Sequence, residues 1–167
     1  MSQTTPSRYH PLQVTFHWLT VLLVFAALVV GKFVSRIPND DASKLAPLAI
    51  HMTIGILTLL VIVARFITRT KLARPAYAST GNTFLDGLGK FVHYALYLLV
   101  FLMALSGMSL SLQTGLPSIV FFGSGAPLPA DFFDFAARAL HGFIAPALFL
   151  LILLHVGAAF YHQLFIK

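Results

Sequence analysis

The chain has 167 residues, of which 58% are hydrophobic and 10% charged; its mean hydropathy is +0.87. Soluble domains carry about a quarter charged residues, so this composition excludes a water-soluble enzyme and places most of the chain in lipid. With Cys 0 there is no disulfide framework, no thiolate metal site and no thioether attachment of a cofactor. Lys+Arg 11 against Asp+Glu 5 reads as loop charge that orients helices, and nucleic acid is not an expected partner.

A spanning helix needs about 20 mostly apolar residues at 1.5 Å each. Four runs satisfy that length, over residues 12–33, 45–67, 91–112 and 140–165. The predicted fold is an all-α membrane protein, a single bundle of four transmembrane helices filling residues 1–167. The opening MSQTTPSRYHP lacks a small-residue cleavage site after a short apolar core, so the first run is expected to be a retained helix.

An even number of spans puts both termini on one side. One face collects Arg8, Arg65, Arg69, Lys71, Arg74, Lys90 and Lys167, while the other holds Lys32, Arg36, Lys44 and Arg138 beside Asp40, Asp41, Asp131 and Asp134. The richer face is expected to be cytoplasmic, with both termini inside and the chain in the bacterial inner membrane. The connection over 113–139 is too short and too broken by Gly and Pro to span. Two readings stand for it: a segment lying along the outer interface that caps the bundle, or an ordinary linker with an interfacial anchor.

Seven histidines, His10, His17, His51, His93, His141, His155 and His162, lie mostly within or at the edges of these runs. A titratable ring in a span is costly and points to function. His141 and His155 are 14 residues apart, about 40° short of four full turns, so they share a face and stand about 21 Å apart along the axis. The charge-derived orientation puts His141 near the outer surface and His155 near the inner one. His51 begins the second, inward-running span at the outer level. His17 begins the first, outward-running span at the inner level. Two cross-helix pairs are expected, His51 with His141 and His17 with His155, and His93 is the rival to His17.

Opposed imidazoles in an apolar bundle suit a flat hydrophobic macrocycle whose iron takes one axial nitrogen from each side. The expected cofactors are therefore two non-covalent bis-histidine b haems, one near each leaflet. Zinc or copper prefers three or four ligands converging at one depth. Gly55, one turn after His51, and Gly142 and Ala145, beside His141, leave helix surface free for a macrocycle, or equally serve close helix packing. Pro146 is expected to kink the last span mildly.

The segments RYHPLQVTFHWL, LAIHMTIG, ARFITR and ALHGFIAPALFLLILLHVGAAFYH resemble those of the bacterial cytochrome b561 family of small four-helix membrane cytochromes, over nearly the whole chain. The resemblance implies haem ligands at His17, His51, His141 and His155. It also implies ubiquinone chemistry near the inner haem and, as in superoxide-oxidising members, a small anionic donor collected at a positive outer surface. His162, two turns beyond His155, is similar to the family's quinone-contacting histidine, or is an interfacial ring that snorkels. Where the family can present a lysine to the quinone this chain has Thr80, leaving Arg74 or Lys71 as substitutes. Lys32, Arg36, Lys44 and Arg138 are the outer cations available to steer an anion, against four outer aspartates. Arg65, Arg69 and Arg138 are suited to haem carboxylates, or mark topology alone.

The activity so implied is that of an oxidoreductase passing electrons to ubiquinone. Two alternatives remain: a cytochrome b subunit docked on a hydrogenase or dehydrogenase as redox partner, and a haem-free proton or cation transporter using buried histidines.

Overall fold

The computed structural model describes residues 6–76 and 79–165, the side chain of Phe165 excepted. Lys167, one of the cations assigned above to the inner face, lies outside them. Five α-helices run in the order α1 (Pro11–Val34), α2 (Leu45–Lys71), α3 (Thr83–Gln113), a short α4 (Leu116–Val120) and α5 (Ala136–Phe165). The four long ones are apolar enough to cross a membrane. The chain is thus an all-helical multi-pass membrane protein.

Local chemistry sets the helix ends. At α1, His10 caps the helix by accepting from the Leu12 amide at 3.2 Å, and Pro11 occupies the first turn, where no amide donor is needed. This gives His10 a capping role at the membrane boundary. A 3-10 turn over Ala42–Lys44 is capped by Asp41, whose side chain accepts from the Ser43 amide at 2.8 Å. These hydrogen bonds hold the Asp41 carboxyl below its ordinary range.

The long helices extend past the apolar runs seen in the sequence, α3 by the most. α3 starts at Thr83, ahead of the predicted 91, because Asn82 accepts from the amides of Phe84 and Leu85 and starts the helix in a polar stretch. α2 continues to Lys71, ahead of the predicted stop at 67, and its last turn carries Arg69 and Lys71, cations that suit a helix C-terminus. A hydropathy scan locates the span but not the polar turns that extend it. α5 continues through Pro146 without a break.

α1 packs along α2, α2 along α3, and α3 along α5. Little of each span is buried, and Trp18, Leu22, Phe25, Phe143 and Leu154 are among the many exposed apolar side chains, as expected where lipid is the solvent. The packed centre consists of Val24, Ile62, Val100, Ile144 and Leu148, drawn from all four long helices.

The 113–139 connection does more than link. Its Leu116, Val120, Leu128 and Phe132 pack with Val34, Leu48, Val30 and Met52 over the C-terminal end of α1 and the N-terminal end of α2. Asn39 ties it down, its amide donating to the carbonyls of Pro129 at 2.7 Å and Ala130 at 3.3 Å. Lys44, expected at the surface, is 6% exposed and donates to Asn39 Oδ1 at 2.6 Å and to the Ile37 carbonyl at 2.7 Å. Asn39→Ala leaves that buried ammonium short of a partner, so it is expected to destabilise the bundle by roughly 1–3 kcal/mol, read as a lowered Tm in detergent.

Candidate functional site

The long helices share one register. Positions seven residues apart form three tiers: His17, Val24 and Gly31 on α1; His51, Thr58 and Arg65 on α2; His93, Val100 and Gly107 on α3; His141, Leu148 and His155 on α5. Seven residues are about two turns, so each trio keeps one helix face, and the outer members stand about 21 Å apart. The middle members, Val24, Thr58, Val100 and Leu148, are all buried, and their mainly apolar layer separates two tiers of polar rings.

At the tier holding His51 and His141, the two rings lie 6.2 Å apart between centroids with an interplanar angle of 86°. Two imidazoles each bonded through nitrogen at about 2 Å to one metal put their ring centres roughly 6 Å apart, so the pair has the spacing of axial ligands. Each ring is received by a glycine on a neighbouring helix. A Cβ at Gly31 would stand 2.7 Å from His51 Cε1, and one at Gly107 would stand 3.1 Å from His141 Cε1. Nδ1 of His51 is buried and has no hydrogen-bond partner among the described residues. Nδ1 of His141 lies 3.0 Å from Ser106 Oγ. A glycine cradle around two half-buried imidazoles fits a flat macrocycle held between them. Of the small residues expected to leave clearance, Gly55 has nothing within 4 Å of a Cβ among the described residues, whereas the place of a Gly142 side chain is taken by the Arg138 guanidinium at 2.8 Å.

The second tier is more polar. His17, His93, His155, Arg65, Tyr97 and Gln13 line one cavity of about 240 Å³ together with Tyr9, Val14, Arg69 and Arg74. Arg65 donates to Nδ1 of His17 at 2.8 Å and stacks over Tyr97 at 4.9 Å. The ring against His155 is that of His93, with centroids 5.1 Å apart at 79°. Nδ1–H of His93 donates to the Gly89 carbonyl at 2.7 Å, which leaves its Nε2 with a lone pair. The structure therefore brings His17 and His155 into one cavity and adds the rival His93 to it.

A second cavity, about 510 Å³, opens beside this tier between Phe66, Arg69, Thr70, Leu72, Ala73, Arg74 and Tyr94. Its size is that of a small-molecule pocket, and Arg69 and Arg74 border both cavities. His162, two turns past His155, is half-exposed with its ring 6.5 Å from Tyr161, and it lines neither. Thr80 is occupied elsewhere: its amide and hydroxyl both donate to Asp86 Oδ1, at 2.8 and 2.9 Å.

Gly31, Gly107 and Ser106 are not among the residues expected from the sequence. The signal for the glycines was present, since the 14-residue interval of His141 and His155 recurs as His17 to Gly31 and His93 to Gly107. Ser106 has no such signal, because only the packing of α3 on α5 brings it to His141.

Four apolar spans presenting rings at two tiers across a mainly apolar layer define a multi-pass membrane bundle of the kind that holds redox cofactors between its helices. Residues 8–167 match the family model described as prokaryotic cytochrome b561. Cytochrome b561 homolog 2 of Escherichia coli (strain K12) is 28% identical over 164 residues, covering 95% of this chain and 86% of that protein. The chain belongs to the prokaryotic cytochrome b561 family, whose members are membrane haem b proteins of electron transfer. Membership sets the transporter alternative aside.

Proposed function

We propose that the chain carries electrons across the bacterial inner membrane, with both termini cytoplasmic, from a donor at the outer face to ubiquinone at the inner face. The observation that carries this reading is the pair of ring tiers, about 21 Å apart by helical rise and divided by Val24, Thr58, Val100 and Leu148. His51 and His141 would hold one b haem at the outer tier, and His17 and His155 would hold the other at the inner tier. Haem bound in this way would supply one-electron transfer.

The protein's part is to orient the ligands and to screen them from water. For His17 to ligate through Nε2, its Nδ1 must carry a proton, and a guanidinium cannot accept a hydrogen bond from it. Arg65 is then required to turn from His17 to another acceptor. A haem carboxylate is one, a partner that a guanidinium can hold bidentately. The quinone occupies the adjoining 510 Å³ cavity, where Arg69 and Arg74 are placed to hold its carbonyl oxygens, in the role that the family resemblance gave to a lysine. Arg74→Ala is expected to raise the KM for a soluble ubiquinone analogue roughly tenfold, the loss of one charge-assisted hydrogen bond, with smaller change in kcat.

Superoxide is the donor that the reading puts first. Lys32 and Arg36 are exposed at the outer end, with Arg138 half-buried one turn before His141. The exposed Asp40, Asp41, Asp131 and Asp134 temper the field there, and the burial of Lys44 removes one cation, so steering is expected to be modest. Stopped-flow mixing of superoxide with purified, quinone-loaded protein tests the function: haem reduction followed by quinone reduction supports it. Haem that superoxide leaves oxidised while a partner dehydrogenase reduces it would assign a different donor.

A further inference from the structure

Ser106 is 4% exposed on α3 and makes two hydrogen bonds. Its hydroxyl donates to the Met103 carbonyl at 2.9 Å, and its oxygen lies 3.0 Å from Nδ1 of His141 on α5. A hydroxyl has one proton, and here the Met103 carbonyl takes it. With its proton there, the oxygen accepts from His141, which puts the ring proton on Nδ1 and the lone pair on Nε2, the tautomer in which both hydrogen bonds are made. The next residue, Gly107, clears space for the same ring, with a built Cβ 3.1 Å from Cε1. Two consecutive residues of α3 thus set both the approach and the tautomer of His141. His51, opposite, lies against the backbone of Ala27 and meets no side-chain hydroxyl among the described residues.

We propose that Ser106 is a positioning residue that holds His141 in its ligating tautomer and lowers the reduction potential of the outer haem. The proposal rests on the reading of His141 as an axial ligand. An acceptor at Nδ1–H makes Nε2 a stronger electron donor, and stronger donation favours ferric over ferrous iron. The effect is larger in a buried site than in water because the low dielectric strengthens the hydrogen bond.

The experiment is a redox titration of the purified haem-loaded protein as wild type, Ser106→Ala, Ser106→Thr and His141→Ala, with low-spin haem EPR on each. In Ser106→Ala the wave that His141→Ala abolishes moves to higher potential, by roughly tenfold in the reduction equilibrium or about 59 mV for one electron, while the other wave stays. Ser106→Thr, which keeps the hydroxyl, restores the wild-type position. Loss of the outer haem in Ser106→Ala with retention in Ser106→Thr also supports the role. Ser106→Ala with both waves unmoved, or Ser106→Thr shifted as far as Ser106→Ala, overturns the proposal while leaving the ligand reading intact. A His141→Ala protein that keeps both waves overturns the ligand reading and the proposal with it.

Discussion

His51→Ala is expected to halve the haem content, from two b haems per chain to one, and to leave the remaining haem low-spin. The ring of His51 is one half of the 6.2 Å pair with His141, and no other histidine is positioned at that tier to replace it. The inner tier lies about 21 Å away beyond Val24, Thr58, Val100 and Leu148, so its ligands do not feel the change directly. His155→Ala is expected to show the mirror result. The inner tier also offers a sharper comparison, because His93 and not His17 makes the ring contact with His155. Pyridine haemochrome assays of His17→Ala and His93→Ala decide between them: the assignment to His17 requires one haem lost in the first and two kept in the second.

Gly31→Val is expected to produce the same outer-haem loss without touching a ligand. Its Cβ would lie 2.7 Å from His51 Cε1, closer than real Cβ contacts come, and both partners sit on packed helices. Overpacking of this kind costs typically 1–3 kcal/mol, and here the ring must move off the position that faces His141. Gly107→Val, at 3.1 Å from His141 Cε1, is expected to be milder. The graded pair, measured as haem per chain and Tm together, separates loss of the ligand's place from general unfolding. A Gly31→Val protein that keeps two haems at an unchanged Tm would show that the ring does not depend on that seat.

The spans and the ring tiers were legible because each follows from periodicity and depth, which are properties of the chain taken one helix at a time. The 14-residue interval on α5 is visible in sequence, and the same interval on α1 and α3 marks Gly31 and Gly107 once the rings are known to need room. Contacts between helices were not legible. Nothing local distinguishes Ser106 from Ser109 or Ser111 until α3 is laid against α5, and nothing in 48 residues of separation pairs Arg65 with His17. Gly142 shows the reverse: its position beside His141 suggested clearance for a macrocycle, yet its face receives Arg138. Lys44 read as a surface cation because its neighbours are polar, whereas the folding of 113–139 over the ends of α1 and α2 buries it against Asn39.

Electron transfer by the proposed route requires two iron porphyrins, each held between opposed imidazoles at its own depth. The direct measurement is the haem-to-chain ratio of the purified wild-type protein, combined with EPR of the oxidised state. Two b haems per chain, both low-spin, are predicted. One haem, none, or a high-spin signal from an iron lacking its second imidazole would contradict it.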